Sequence, residues 1–155
     1  MKFIEIEGFK HENRFIIKEL CVLDDQNPLC PLYYIFKEEF PFTQLTLDEQ
    51  RQVAFVSGNL HGLTWKEGIT QFCASCVERK IIEDFDNNGL LEFYTMGEEK
   101  VKFLSDLFPR LRILHVKKTF KLLPYLMPHI TCLHRPHGER CALRKCYRLL
   151  LSFSL

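Results

Sequence analysis

No stretch of this 155-residue chain is Gly/Ser-rich, Pro-rich or a block of single-sign charge, and no internal repeat is visible. Those absences exclude low-complexity, linker-like and repeat architectures. No apolar run approaches the ~18 residues that a membrane span needs. The opening segment "MKFIEIEGFK" is interrupted by Glu5 and Glu7, which points away from a secretory leader. The expected setting is therefore cytoplasmic or nuclear, with no membrane association. The cysteines number seven, an odd count. In a reducing compartment they are expected to be thiols used for metal binding or core packing rather than disulfides.

What the chain does have is enough apolar material for one core. Hydrophobic residues make up 46% and charged residues 26%, so residues 1–155 are expected to form a single domain that needs neither disulfides nor a metal to fold. The net charge of +1 conceals an asymmetry: from Arg110 onward ten Lys and Arg stand against one acid, Glu139, whereas residues 1–109 hold eleven Lys and Arg against nineteen acids. An anionic partner would meet the C-terminal third first. Alternatively, the two portions neutralise each other in the fold.

Periodicity gives the expected elements. "KFIEIEGF" alternates apolar and acidic side chains, the period-two signature of a strand, and "RFIIKELCVLD" and "PLYYIFKEEF" follow as two more. "TLDEQRQVAFVSGNL" opens with Thr46 and Glu49 at capping-box spacing, and "TWKEGITQFCASCVERK" repeats that spacing with Thr64 and Glu67. Next come a strand in "LLEFYTM", a helix in "EEKVKFLSDLF", a strand in "LRILHV" and a last helix from roughly Glu139 to Phe153. A three-strand meander followed by crossover strands implies an α/β domain, a mixed sheet flanked by helices.

The segment "CLHRPHGERCALRKC" concentrates three Cys and two His between residues 132 and 146. On a helical wheel Ala142, Leu143, Cys146, Tyr147, Leu149 and Leu150 share an apolar face, whereas Arg140, Arg144, Lys145 and Arg148 share a basic one. Cys146 is thus expected in the core, and Cys141 falls among the basic residues. There it would sit in the first helical turn, where dipole and arginines favour a thiolate. Cys132, then His134 or His137, then Cys141 supply three donors suited to tetrahedral zinc, with a fourth still to find. Buried thiols and solvated loop histidines are the plain alternative. Cys73-Ala-Ser-Cys76 has the form of a CxxC pair but is expected in mid-helix as core packing. Glu5 and Glu7 share one strand face, where a central strand would need a cation or a basic partner to bury them. Asp84 and Asp86 precede Asn-Asn-Gly and read as ordinary turn sequence.

With "FIEIEGF" as first strand and "ERCALRKCYRLL" as last helix, the chain resembles the ribonuclease H-like fold of the DEDD 3′-5′ exonuclease superfamily. In that family the first strand carries Asp-x-Glu, a later helix an Asp, and the last helix a His followed by Asp. Those motifs fall on Glu5-Ile6-Glu7, on "TMGEEKVKFL" with Lys100 at the Asp, and on "RCALRK" with Cys141 at the His and Lys145 at the Asp. Two-metal phosphodiester hydrolysis needs carboxylates to hold paired Mg²⁺ ions, so the lysines imply that this chemistry is lost. The chain is similar in this to the domain of the Maelstrom proteins, in which a Glu-Cys-His-Cys zinc set replaces the exonuclease carboxylates. That resemblance implies Glu5 or Glu7, Cys132, His134 or His137, and Cys141 as ligands of a structural zinc.

The leading expectation is a zinc-stabilised, exonuclease-like domain that binds single-stranded RNA through Lys117, Lys118, Arg140, Arg144, Lys145 and Arg148, with small-RNA or transposon silencing as the setting that the resemblance implies. Weak cleavage of single-stranded RNA enters by resemblance only, and no residue is singled out as catalytic. The alternatives are a protein-interaction scaffold on the same fold and a divergent metal-dependent exonuclease.

Overall fold

The computed structural model describes residues 1–12, 14–86, 91–116 and 141–154. The alternation at its start builds the longest strand pair: β1 (Lys2–His11) runs antiparallel to β2 (Arg14–Asp24), with Ile6 opposite Leu20 and Glu7 opposite Glu19. A register shift between Glu7 and Gly8 then bulges the pair. β3 (Leu32–Ile35) pairs antiparallel with β2, and β4 (Glu92–Thr95) and β5 (Arg112–His115) extend the other edge in parallel, β4 beside β1. The sheet is mixed and five-stranded, in the order β3-β2-β1-β4-β5. β1 is its central strand.

Because side chains alternate along a strand, β1 and β2 offer two faces, and different helices cover each. On one, Ile4, Ile6, Leu20 and Val22 join Phe93 and Ile113 to pack on α2 (Ala74–Phe85), through Val77, Ile81 and Phe85, and on α3 (Glu98–Leu107), through Leu104. On the other, Phe3, Cys21 and Leu23 pack against Ala142, Leu143, Cys146 and Leu149 of α4 (Ala142–Ser154). Cys146 is in the core, as its wheel position requires. Past the bulge, Phe9 and Ile16 form a smaller cluster with Leu45, Trp65 and Val53 of α1 (Leu47–Val56).

One capping box forms as expected. Thr46 Oγ1 accepts from the Glu49 N–H at 3.2 Å, the Glu49 carboxylate accepts from the Thr46 N–H at 2.9 Å, and α1 starts there. The second does not start a helix. The Thr64 N–H does donate to Glu67 at 3.2 Å, but the chain turns away at Gly68, whose φ is +119°. A Cβ at this glycine would collide with the Phe36 carbonyl. The preceding turn is clamped by Lys18, a fully buried ammonium that donates to the carbonyls of Phe36 (2.6 Å), Trp65 (2.8 Å) and Glu67 (2.5 Å). Thr70 then bridges to Phe36, and α2 begins only at Ala74. The helix expected from Thr64 is therefore a buttressed loop, and the CxxC pair falls at the helix start.

Candidate functional site

Three carboxylates lie on the face of the sheet that α4 covers. Two come from β1, Glu5 and Glu7; the third is Glu19, directly opposite Glu7 on β2. Like charges placed across a strand pair repel, and both Glu5 and Glu19 are fully buried. Such burial is tolerable only with counter-charge and hydrogen bonds.

Each carboxylate has them. Glu5 accepts from the Lys100 ammonium at 2.6 Å, from the Met96 N–H at 2.8 Å and from the Thr95 hydroxyl at 3.3 Å. Lys100 reaches it from the first turns of α3. Glu7 is paired with the Lys145 ammonium, which comes down from α4. Burial lowers the Lys145 pKa below the ordinary lysine value; attraction to Glu5 offsets part of this and repulsion from Arg148 adds to it. Glu19 accepts from the Tyr33 hydroxyl and from the Ala142 N–H, the first of α4, so it caps that helix and meets the positive end of its dipole. The Cys141 thiol completes this cap, 3.7 Å from Glu19.

The arrangement is close to electroneutral, with two lysines and a helix N-terminus balancing three acids. A divalent cation at Glu5 or Glu7 would have to displace Lys100 or Lys145. Deeper in, the Cys146 thiol donates to the Cys21 carbonyl at 3.3 Å, and burial raises its pKa well above the ordinary thiol value.

The basic face drawn from the helical wheel is altered in two places. Cys141 does not lie among solvated arginines: it precedes α4, its carbonyl accepts the Lys145 N–H at 2.9 Å, and its side chain is buried beneath the helix start. Lys145 points at the sheet and is spent on Glu7, while Arg144 and Arg148 stay half-exposed. Cys132, His134, His137, Lys117, Lys118 and Arg140 lie outside the described residues. Among the described residues no group of three His, Cys, Asp or Glu is disposed to hold a metal ion. Of the donors that the Maelstrom resemblance implies, Glu5 and Glu7 carry lysine partners, and the carboxylate beside Cys141 is Glu19. A zinc bound through Cys141 would thus draw its carboxylate from Glu19, a residue the motif comparison does not reach. Its signal was the antiparallel pairing of β1 and β2, which sets an acid opposite Glu7.

Away from this cluster, Cys76 is exposed and Cys73 half-buried. This overturns the expectation that both pack in the core, because α2 starts later than its sequence suggests. Among the described residues no helix is long and apolar enough to cross a membrane. Comparison with protein-family models, curated proteins and solved structures finds no match to this chain.

Proposed function

We propose that this chain is a nuclease-like domain of ribonuclease H-like type in which lysines have taken over the metal positions, and that it binds single-stranded RNA instead of cutting it with two metal ions. The observation that carries this reading is the pairing of Lys100 with Glu5 and of Lys145 with Glu7. The two residues that stand where the resembled family has aspartates are the counter-ions of the two carboxylates that match its first motif. The strand order β3-β2-β1-β4-β5, with an antiparallel meander and parallel β4 and β5, supports the same assignment. A structural zinc held by Cys132, His134 or His137, Cys141 and a strand carboxylate belongs to this reading, as does a cytoplasmic or nuclear setting. A closed four-ligand zinc has no position for an activated water, so it would fix the segment before α4 and leave no chemistry to the metal. Phosphate contacts fall to the C-terminal basic residues.

The test is fluorescence anisotropy with a labelled single-stranded RNA across a salt series, with and without Mg²⁺. Binding that weakens steeply with salt, with RNA left intact in either condition, is expected. Mg²⁺-dependent degradation lost in Glu5→Gln would restore the exonuclease alternative. Absence of RNA binding at low salt would overturn the proposal in favour of a protein-interaction scaffold. That second reading has one observation behind it: Phe55 of α1 is 59% exposed and lines an apolar cleft with Phe9, Val53, Val56 and Leu60.

A further inference from the structure

Cys73 and Cys76 occupy the first turn of α2. Cys73 is the N-cap residue, with extended dihedrals (φ −136°, ψ 108°), and its carbonyl accepts from the Val77 N–H at 2.9 Å. Cys76 is three positions on. N-cap and N3 are the pair whose side chains meet in a capping box; here both are thiols. The approach to them is rigid. Thr70 bridges to Phe36, its carbonyl accepts from the Lys37 N–H at 2.8 Å, and the Phe72 ring packs edge-on to Phe36 with centroids 5.0 Å apart. The backbone before Cys73 is thus held against the end of β3 while both sulfurs face outward, Cys76 exposed and Cys73 half-exposed.

The chemistry of this turn favours a thiolate on Cys73. The first N–H groups and the dipole of a 12-residue helix point at it, the Cys76 and Ser75 N–H groups among them, and no acidic residue lies in the first turn. Ser75 Oγ is 3.4 Å from Cys73 Sγ. Hydrogen bonding from Cys76, then from Ser75, pulls the Cys73 thiol down to about 7, and the same pairing raises Cys76. Closing a disulfide is geometrically modest. Residues three apart on a helix have Cβ atoms about 5–6 Å apart, and a disulfide brings them to roughly 3.5–4.5 Å. The non-helical N-cap residue can supply that shift without unwinding α2.

We propose that Cys73 and Cys76 form a dithiol redox site that exchanges with small-molecule disulfides, Cys73 attacking and Cys76 resolving. The Cys73 thiolate attacks one sulfur of the incoming disulfide, forms a mixed disulfide and expels the other sulfur as a thiolate, which takes up the proton lost by Cys73. Cys76 then attacks Cys73 Sγ; the mixed bond breaks, its second thiol leaves with the Cys76 proton, and a Cys73–Cys76 disulfide remains. Two electrons and two protons pass to the partner, which is reduced to two thiols. The site is independent of the carboxylate cluster and of RNA binding.

Glutathione disulfide is the probe, applied to the full chain, with acid quenching and peptide mass mapping; Cys30, a lone exposed cysteine, is the internal control. In the wild-type chain the peptide that holds Cys73 and Cys76 is expected to lose two hydrogens, the two cysteines being linked within it. Cys76→Ser is expected to retain glutathione on Cys73, and Cys73 there is expected to react about fivefold faster than Cys30 near neutral pH. Circular dichroism checks that the variant remains folded. Stable glutathione on wild-type Cys73 with no internal disulfide would overturn the proposal, as would a Cys73 rate no higher than that of Cys30.

Discussion

Lys100 Nζ lies 2.6 Å from Glu5 Oε2, joining the first turns of α3 to the central strand through a carboxylate with no exposed surface. Removing the lysine alone leaves a buried charge hydrogen-bonded by the neutral donors Met96 and Thr95, with Lys145 the remaining cation that attracts it. Lys100→Met should therefore cost roughly 2–4 kcal/mol, below the upper figures for buried pairs because the Lys100 side chain keeps 22% exposure. Adding Glu5→Gln to Lys100→Met should recover part of that loss. Urea unfolding of the wild type, both single variants and the double variant gives the coupling energy, and additive losses would mean that the pair is not coupled.

Gly68 and Gly97 both have positive φ, +119° and +105°, but differ in surroundings. At Gly68 a Cβ meets the Phe36 carbonyl, and at Gly97 it meets open space. Gly97→Ala should cost only backbone strain, about 1–2 kcal/mol. Gly68→Ala must also push the 65–70 loop off β3, so a loss above about 4 kcal/mol is expected. Thermal unfolding of the two variants side by side separates strain from collision.

The same glycine explains where the sequence was misleading. Thr46–Glu49 and Thr64–Glu67 have identical local spacing, yet only the first opens a helix. What stops the second is tertiary: the Phe36 carbonyl behind Gly68 and the Lys18 ammonium gripping the Trp65 and Glu67 carbonyls. No local pattern contains those partners, so the start of α2 and the exposure of Cys73 and Cys76 were not legible. The five strands and their order along the chain were, because β1 alternates cleanly and turn residues separate the meander, although β3 is only Leu32–Ile35 of the expected "PLYYIFKEEF". Glu5 and Glu7 stood out for the same reason. Glu19 was hidden in the nearly continuous apolar run of β2, where period two disappears, and its meaning came only from its register with Glu7.

Lys18 gives a pH dependence. Burial lowers its pKa from 10.5 to about 8, against the opposing pull of Glu38 and Glu67. Between these two values the unfolded chain holds the proton more tightly than the folded one, so stability contributed by this residue rises with pH from about 8 to 10.5 and is flat below. Raised groups such as Tyr147 and Cys146 act in the opposite direction. The quantity to measure is therefore the difference between wild type and Lys18→Met. The wild-type urea midpoint minus the Lys18→Met midpoint should rise from pH 7.5 to pH 10; a constant difference would assign Lys18 an unshifted ammonium.

The proposed RNA binding should separate the basic residues of α4 by whether they point at the sheet or keep surface in solvent. Each lysine or arginine that neutralises a phosphate contributes about 0.7 to the slope of log affinity against log salt for a single strand. Lys145 is committed to Glu7 beneath the helix, so converting it to Arg should leave that slope unchanged. Arg144 and Arg148 keep surface in contact with solvent, and replacing both with Gln should lower the slope by about one unit or more while leaving circular dichroism unaltered. Equal slopes in the Arg144→Gln/Arg148→Gln variant and the wild type would move the phosphate contacts off α4. A drop in Lys145→Arg would mean that the Glu7 pair opens when RNA binds, making the carboxylate cluster part of the binding surface rather than a closed set of ion pairs.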